Sequence, residues 1–319
     1  MGNGDGILAA CGGFFSQTYR ASGLIGCVRK IIAAIRMNVA PLIMRRRTNR
    51  SVGAYFDLIT DDGRMFYGDN FHLGFFHDGA TTLDDALDAH TDMVARMARL
   101  GSAERVLDIG CGICAPAIRI ANTYGGHITG INISREQVRQ AKLLIDKECL
   151  NDRIHVREGN ALDLDFEDES FDSLLCLEVA GDICVTETQK TKLIDEIYRV
   201  LKPGGHISFS DLTFTGCPDA CEEKAMRMIL YHKGRELITN WPALFQRRGF
   251  EIREEHDMIE HTMPTWDHFI AVYEERRNEV EARYGRRIAA QSLANLKRLP
   301  AILRKYGSFP VISARKPAT

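Results

Sequence analysis

The sequence predicts an α/β fold built around a doubly wound sheet. Three observations support it: the apolar run Val106–Ile109 leads into the glycine turn Gly110–Gly112, a helix follows that turn, and strand-like and helix-like segments then alternate. The glycines let the backbone turn tightly and approach a ligand closely, and Ala115 is small enough for the helix to pack on the sheet. With 319 residues, 45% of them hydrophobic, the chain can bury one large core or two smaller ones.

The composition limits the expected partners and compartment. The formal net charge of -2 at pH 7 gives no global field that would attract nucleic acid or acidic lipid, so we expect no nucleic-acid partner. The nine cysteines are odd in number and lie mostly in apolar runs, which favours buried thiols in a reducing, cytoplasmic compartment. Cys111 and Cys114 have no second ligand pair at a suitable spacing, so we predict no metal there.

Residues 1–50 are predicted to form an amphipathic and basic helical extension ahead of the main domain, residues 51–319. Between residues 23 and 40, apolar residues recur at helical spacing, and Arg29, Lys30 and Arg36 interrupt them. This segment is too charged to cross a bilayer. It would contact a membrane surface peripherally, cover an apolar substrate, or pack on its own domain, and the sequence leaves these roles open.

Residues 51–91 are rich in aromatic residues and glycine and resemble loop sequence. So many rings would be costly in water, so we expect this segment to line a core seam or an apolar pocket on the acceptor side. Thr81 or Thr82 is expected to cap a helix that runs from Leu83 to Leu100.

The remaining elements follow from periodicity and turn residues. Strands are predicted at His127–Ile131, Ile154–Glu158, Phe171–Leu177, His206–Asp211, Phe250–Glu255 and Phe309–Ala314. Helices are predicted at Arg135–Glu148, Gln189–Leu201, Glu222–Tyr231 and Arg235–Arg248. Residues 267–306 look mainly helical, within an insertion at 260–307 that would cap the acceptor pocket or form a contact between subunits of a homo-oligomer.

Five motifs occur in a recognisable order: Val106–Pro116, Asn160–Asp163, Ser170–Ser173, Leu201–Gly205 and Ala314–Pro317. Together they resemble the S-adenosylmethionine-dependent methyltransferases of the Rossmann-like superfamily, and the resemblance covers residues 91–317. The segments Tyr67–His72 and Thr129–Ser134, with Gln137, are similar to the sterol, tocopherol and cyclopropane-fatty-acid branch. Members of that branch methylate carbon or oxygen on lipid-like small molecules, often isoprenoids.

The resemblance implies a cofactor site at the carboxyl ends of the strands. Gly110 and Gly112 would lie against the methionine portion and ribose, and Asp108 would order the loop and meet the ammonium group. Asn132 takes the place of the acid that usually binds the ribose hydroxyls, with help from Gln137. The residues implied in cofactor binding are Asp108, Gly110, Gly112, Asn132, Gln137, Asn160, Ala161 and Glu178, with Asn160 and Ala161 at adenine.

Glu178 directly follows an apolar strand, at the end where open α/β sheets bind their ligands. The lipid-methylating relatives carry a Glu there, near the sulfonium. A buried Glu is costly unless it is paired or faces a positive charge, so we predict a catalytic role for Glu178 and a substrate-side role for Asp182.

The choice of acceptor depends on what must be stabilised. A hydroxyl acceptor needs a base, for which His72 is the candidate. An alkene carbon becomes a carbocation, which ring faces and a carboxylate stabilise, and Tyr67 and Glu178 suit that case. We therefore predict carbon methylation of an isoprenoid. The predicted substrate contacts are Tyr55, Phe71, Phe76, Asp182, Arg46 and Arg47.

One refinement of this prediction and two alternatives remain. The basic cluster Arg45–Arg50 would meet the diphosphate of a prenyl diphosphate, with Mg²⁺, although no acidic metal motif is recognisable. An oxygen or nitrogen methyltransferase of a polyketide, peptide or alkaloid would keep the same cofactor motifs. A non-catalytic cofactor-binding module, docked to a membrane through residues 23–40, would bind S-adenosylmethionine without consuming it.

Overall fold

The computed structural model describes residues 48–77, 79–101, 105–230 and 234–318. The amphipathic segment at 23–40 and Arg46 and Arg47 lie outside these ranges, so the predictions made for them stay predictions. Among the described ranges, no helix is both long and apolar enough to cross a bilayer.

A seven-stranded sheet forms the centre of the molecule. Its strands are β1 (Arg105–Ile109), β2 (His127–Asn132), β3 (Ile154–Glu158), β4 (Phe171–Leu177), β5 (Leu201–Ser210), β7 (Glu251–Asp257) and β9 (Pro310–Arg315), in the order β3-β2-β1-β4-β5-β9-β7. Strands β1 to β5 are parallel, whereas β9 runs antiparallel to β5 and β7. The short strands β6 (Thr213–Phe214) and β8 (Gly307–Ser308) pair separately. The predicted doubly wound sheet is confirmed, and its order reverses between β1 and β4, where such sheets bind ligands.

Helices cover both faces of this sheet and its carboxyl edge. They are α1 (Asn49–Tyr67), α2 (Leu83–Met97), α3 (Ala115–Thr123), α4 (Arg135–Lys147), α5 (Ala180–Ile183), α6 (Glu187–Val200), α7 (Ala220–Arg227), α8 (Gly234–Leu237), α9 (Trp241–Arg248), α10 (Ile259–Glu275), α11 (Arg277–Tyr284) and α12 (Arg286–Tyr306). The predicted cap of α2 is confirmed: the Thr82 hydroxyl accepts from the Asp85 amide, and the Asp85 carboxylate accepts from the Thr82 amide.

The first part of the aromatic segment, which resembled loop sequence, is instead the long helix α1. Its glycines serve close packing: a Cβ on Gly53 would lie 2.8 Å from the Ile133 carbonyl oxygen, and one on Gly63 would lie 2.7 Å from Cε1 of Phe71. Side chains of α1 also hold it against α4, because Asp57 accepts hydrogen bonds from the Ser134 hydroxyl and the Glu136 amide. Helix α1 therefore forms a cover over the carboxyl edge of the sheet.

Other boundaries differ from prediction as well. The helix expected at Glu222–Tyr231 is α7, Ala220–Arg227, which Asp219 caps by accepting from the Cys221 and Glu222 amides. The helix expected at 235–248 is divided into α8 and α9, because Asn240 caps a new helix by accepting from the Ala243 amide and Pro242 occupies its first turn. Strand β5 begins at Leu201, earlier than predicted, and includes the residues expected to form a turn. Residues 259–306 are helical as predicted and form α10, α11 and α12.

Candidate cofactor and acceptor site

A pocket opens at the carboxyl ends of β1, β2, β4 and β5, beneath α1. It holds about 1500 Å³ of space between its walls, including its open mouth. One side is formed by the glycine turn and by the residues that follow β2 and β3. The other side is apolar and aromatic, and it includes residues from α1, α10 and the segment around α7 and α8.

The glycine turn presents bare backbone to this pocket. Gly110 and Gly112 both adopt positive φ angles, +72° and +54°, which favour glycine. A Cβ on Gly110 would lie 2.3 Å from Cγ2 of Val179, whereas one on Gly112 would meet only the Phe71 Cβ, at 3.9 Å. Nothing larger than glycine fits at position 110 without moving Val179.

Asn132 lines the pocket but is largely engaged within the protein. Its Oδ1 accepts from the Ser134 amide at 3.0 Å, which fixes the amide orientation. Its Nδ2 therefore donates to the Gly112 carbonyl at 3.2 Å and to Gln137 Oε1 at 2.7 Å. Asn132 thus braces the glycine turn, and the Nε2 group of Gln137, which also lines the pocket, is left as the amide donor.

The remaining predicted cofactor contacts, Asn160, Ala161 and Asp108, differ in whether they line the pocket. Asn160 and Ala161 line the pocket, and Asn160 Oδ1 accepts from the Leu162 amide in its own turn. Asp108 is 4% exposed and lies beneath the glycine turn rather than on the pocket lining. Burial raises the pKa of its carboxyl to about 7.

Glu178 projects from the end of β4 into the pocket. It adopts a positive φ of 54°, its amide donates to the Ser210 carbonyl at 2.7 Å, and its Oε1 accepts from the Leu73 amide at 2.6 Å. Its side chain is 17% exposed. Burial raises the pKa of Glu178 well above its ordinary value, and the nearby carboxylates of Asp211 and Asp182 raise it further.

The Leu73 peptide links Glu178 to two buried histidines. Its carbonyl accepts from His90 Nδ1 at 2.7 Å and from His72 Nδ1 at 3.0 Å, and His90 Nε2 lies 3.0 Å from the Ser210 hydroxyl. Ligand atoms of His72, His90 and Glu178 lie within 4.8 Å of one another. Hydrogen bonds engage His72 Nδ1, Glu178 Oε1 and both ring nitrogens of His90, so the cluster forms a polar network in the wall of the pocket.

His72, the base predicted for a hydroxyl acceptor, is 3% exposed and does not line the pocket. Burial lowers the pKa of His72 to about 4, so it is neutral near pH 7. Its side chain belongs to the network behind Glu178.

The predicted acceptor residues also differ in whether they line the pocket. Tyr55, Tyr67, Phe71 and Asp182 line the pocket. Burial, with Glu178 and Asp182 nearby, raises the pKa of Tyr67, so its hydroxyl remains protonated. Phe76 does not line the pocket; its amide donates to the His261 carbonyl at 2.9 Å, which turns the chain toward α10.

Several lining residues were not anticipated from the sequence. They are Asp211, Leu212, Ile229, Leu230, Leu237 and Trp266. Asp211 had a usable signal, since it directly follows an apolar strand as Glu178 does. The others come from the insertion and its neighbours, where the sequence pattern does not say which face meets the sheet.

The lining of the pocket contains acidic side chains but no basic ones among the described residues. Carboxylates come from Glu178, Asp182 and Asp211, and no lysine, arginine or histidine occurs on the lining among the described residues. Such a pocket favours a ligand that carries positive charge.

Comparisons with known proteins agree with this geometry. Residues 106–205 match the family described as a methyltransferase domain. The chain is 29% identical over 282 residues to the 27-O-demethylrifamycin SV methyltransferase of Amycolatopsis mediterranei, covering 86% of this chain and all of that protein. It is 30% identical over 215 residues to the sterol 24-C-methyltransferase of Clavispora lusitaniae, covering 65% of this chain and 55% of that protein. The crystal structure of the 4+2 cyclase SpnF superposes with a TM-score of 0.72 at 26% identity, over 85% of this chain and 98% of that one.

Proposed function

We propose that this chain, which is an S-adenosylmethionine-dependent methyltransferase of small molecules, methylates a carbon atom of an apolar, isoprenoid-type acceptor. The observation that carries the proposal is one largely apolar pocket whose lining combines the Glu178 carboxyl group with the aromatic side chains of Tyr67, Phe71 and Trp266. A hydrocarbon acceptor fits such a lining because it needs neither a hydrogen-bond partner nor a counter-charge in its ground state.

The residues of the glycine-turn side fit the cofactor. Gly110 and Gly112 leave the backbone bare, the Nε2 group of Gln137 is available as a donor, and the carboxylates of the pocket suit a cation. S-adenosylmethionine supplies a methyl group on a positively charged sulfur. The apolar walls then hold the acceptor in line with that methyl group and exclude water.

Glu178 and the rings act on the charge that develops in the acceptor. An alkene carbon that takes a methyl group leaves a cation on the neighbouring carbon, and aromatic faces and a carboxylate stabilise it. Burial holds the pKa of Glu178 high in the protein alone, and positive charge in the pocket favours its ionised form. Its hydrogen bond from the Leu73 amide fixes its position before the reaction begins.

A prenyl diphosphate is the extended form of this proposal. The described lining supplies no basic residue for a diphosphate, so that form depends on Arg46 and Arg47, with Mg²⁺ as the counter-ion. It predicts that Arg46→Ala and Arg47→Ala raise KM for a prenyl diphosphate and leave KM for the corresponding alcohol unchanged. An unchanged KM for a diphosphate that is turned over would contradict it.

Oxygen methylation of a polyketide is the second candidate. The specific observation in its favour is the match with the rifamycin methyltransferase, which extends over the whole of that relative. An oxygen acceptor would need a base on the pocket lining, and a carboxylate would have to fill that role because His72 lies behind the wall.

The test is incubation with labelled S-adenosylmethionine and a panel of prenyl diphosphates, prenyl alcohols, sterols and polyketide phenols, followed by mass spectrometry. We expect label in an isoprenoid, and Glu178→Gln to lower kcat by about 10²–10³-fold with little change in KM, because the carboxylate acts on the transition state. Label only in phenolic or hydroxylated polyketides would contradict the proposal and favour the second candidate.

A further inference from the structure

We propose that Asp211 is the group that accepts the proton released by the methyl acceptor. The inference rests on methyl transfer but not on the identity of the atom methylated. Asp211 directly follows β5, as Glu178 follows β4, so the two carboxylates lie at the carboxyl ends of neighbouring strands. Both line the same pocket.

Within the part of the chain that the structure describes, Asp211 is a buried carboxyl that forms no ion pair with a cationic side chain. Asp211 is 5% exposed, and its carboxyl group accepts hydrogen bonds from the backbone amides of Gly181, Leu212 and Ala180; the bond from Gly181 to Oδ2 measures 2.7 Å. The nearby Asp182 carboxylate raises the pKa of Asp211. The charge of Asp211 in turn raises the pKa values of Glu178 and of the thiols of Cys176 and Cys184. Burial, with Asp182 contributing, raises the pKa of Asp211 to about 7, so the group can exchange a proton near neutral pH.

The proton balance of the reaction requires such a group. When the acceptor is an alkene, its π electrons form the new carbon–carbon bond as the sulfur–methyl bond breaks and its electron pair stays on sulfur. A proton must then leave the carbon next to the cation, and its bonding pair restores an alkene. When the acceptor is a hydroxyl, the proton leaves oxygen. In both cases the Asp211 carboxylate becomes a carboxylic acid, and the proton later passes to solvent.

We favour Asp211 over His72, Tyr67 and Glu178 as the proton acceptor. His72 lies behind the wall, and the Tyr67 hydroxyl stays protonated because burial and two carboxylates raise its pKa. Glu178 is already assigned to the stabilisation of the developing cation, and its Oε1 accepts from the Leu73 amide. Asp211 lines the pocket, and so does the apolar side chain of Leu212, its neighbour in sequence.

A purely structural role is the competing explanation, since the bond to Gly181 holds the loop that carries Asp182. Two variants separate the roles. Asp211→Asn keeps a side-chain oxygen for the Gly181 amide and removes the base, whereas Asp211→Ala removes both. Asp152→Asn, at an exposed position before β3, is the matched control.

We expect Asp211→Asn to lower kcat by about 10²–10⁴-fold, the size of a general-base effect. Its affinity for S-adenosylhomocysteine should stay within about threefold of the wild type, as for ordinary substitutions. The wild-type kcat/KM, which reports the free enzyme, should rise as pH increases through about 7, and this limb should be absent from Asp211→Asn. If Asp211→Asn keeps kcat and the pH limb, or loses kcat only in proportion to lost ligand affinity as Asp211→Ala does, the inference is wrong.

A second readout needs no acceptor. Carbon-13 labelling of aspartate carboxyls, in the complex with S-adenosylhomocysteine, should give resonances of Asp108 and Asp211 that titrate near pH 7, and the Asp211 resonance is the one missing from Asp211→Asn. An Asp211 carboxyl group that is still protonated at about pH 9 would overturn the inference, because it could not accept a proton under working conditions. If the isoprenoid proposal fails, the kinetic arm uses whichever acceptor is methylated, so the two failures are distinguishable.

Discussion

Replacing Gly110 by alanine tests how tightly the glycine turn is built. The new Cβ would lie 2.3 Å from Cγ2 and 2.9 Å from Cγ1 of Val179, at a φ of +72°. The left-handed conformation costs a non-glycine residue about 1–2 kcal/mol, and overpacking adds about 1–3 kcal/mol. We therefore expect Gly110→Ala to lower the free energy of unfolding by about 2–5 kcal/mol.

Gly112→Ala is the matched control, because it also has positive φ but its Cβ would meet only one atom, at 3.9 Å. Gly112→Ala should lower the free energy of unfolding only by the conformational cost, about 1–2 kcal/mol. Urea unfolding of both variants measures the difference, and Val179→Ala in the Gly110→Ala background should recover much of the overpacking cost. Equal losses for the two glycines, or no recovery in the double variant, would refute the reasoning.

Substitutions at three further positions test the pocket and the network behind it. Tyr67→Phe should keep kcat within about threefold, because its protonated hydroxyl is not a base, whereas Tyr67→Leu should lose about 5–30-fold with the ring face. His72→Gln should keep kcat, and its stability should fall less than that of the wild type as pH decreases from about 6.5 to about 4. This sign follows because the folded-state pKa of His72 is lowered to about 4, so protons bind the unfolded chain preferentially in that window. Gln137→Ala should weaken S-adenosylhomocysteine binding about 3–10-fold by calorimetry, with the exposed Gln246→Ala as the control.

The sheet was predictable from the sequence because its signals are local. The apolar run Val106–Ile109 and the turn after it specify a buried strand and a tight backbone, and both are present. Helix α1 was not predictable from the sequence, because glycines such as Gly53 and Gly63 are usually unfavourable inside a helix. Their role is a close approach to Ile133 and Phe71, which only the tertiary structure reveals.

The site was predictable where a residue directly follows a strand. Glu178 reaches the pocket because its strand ends at the carboxyl edge, and the same rule applied to β5 would have indicated Asp211. Phe71 lines the pocket, whereas the neighbouring His72 is buried and its Nδ1 donates to the Leu73 carbonyl, a difference that the sequence pattern does not predict. The acceptor wall around Trp266 depends on how the insertion docks, and periodicity alone carries no such information.

The most direct test of the proposed carbon methylation is the position of the transferred methyl group. The enzyme is incubated with S-adenosylmethionine carrying a carbon-13 methyl group and with the acceptor identified from the panel, and the product is examined by NMR. Carbon methylation predicts coupling between the labelled methyl carbon and protons of an adjacent carbon skeleton in an isoprenoid. A labelled methyl signal in the oxygen-bound or nitrogen-bound region, without that connectivity, would contradict the account.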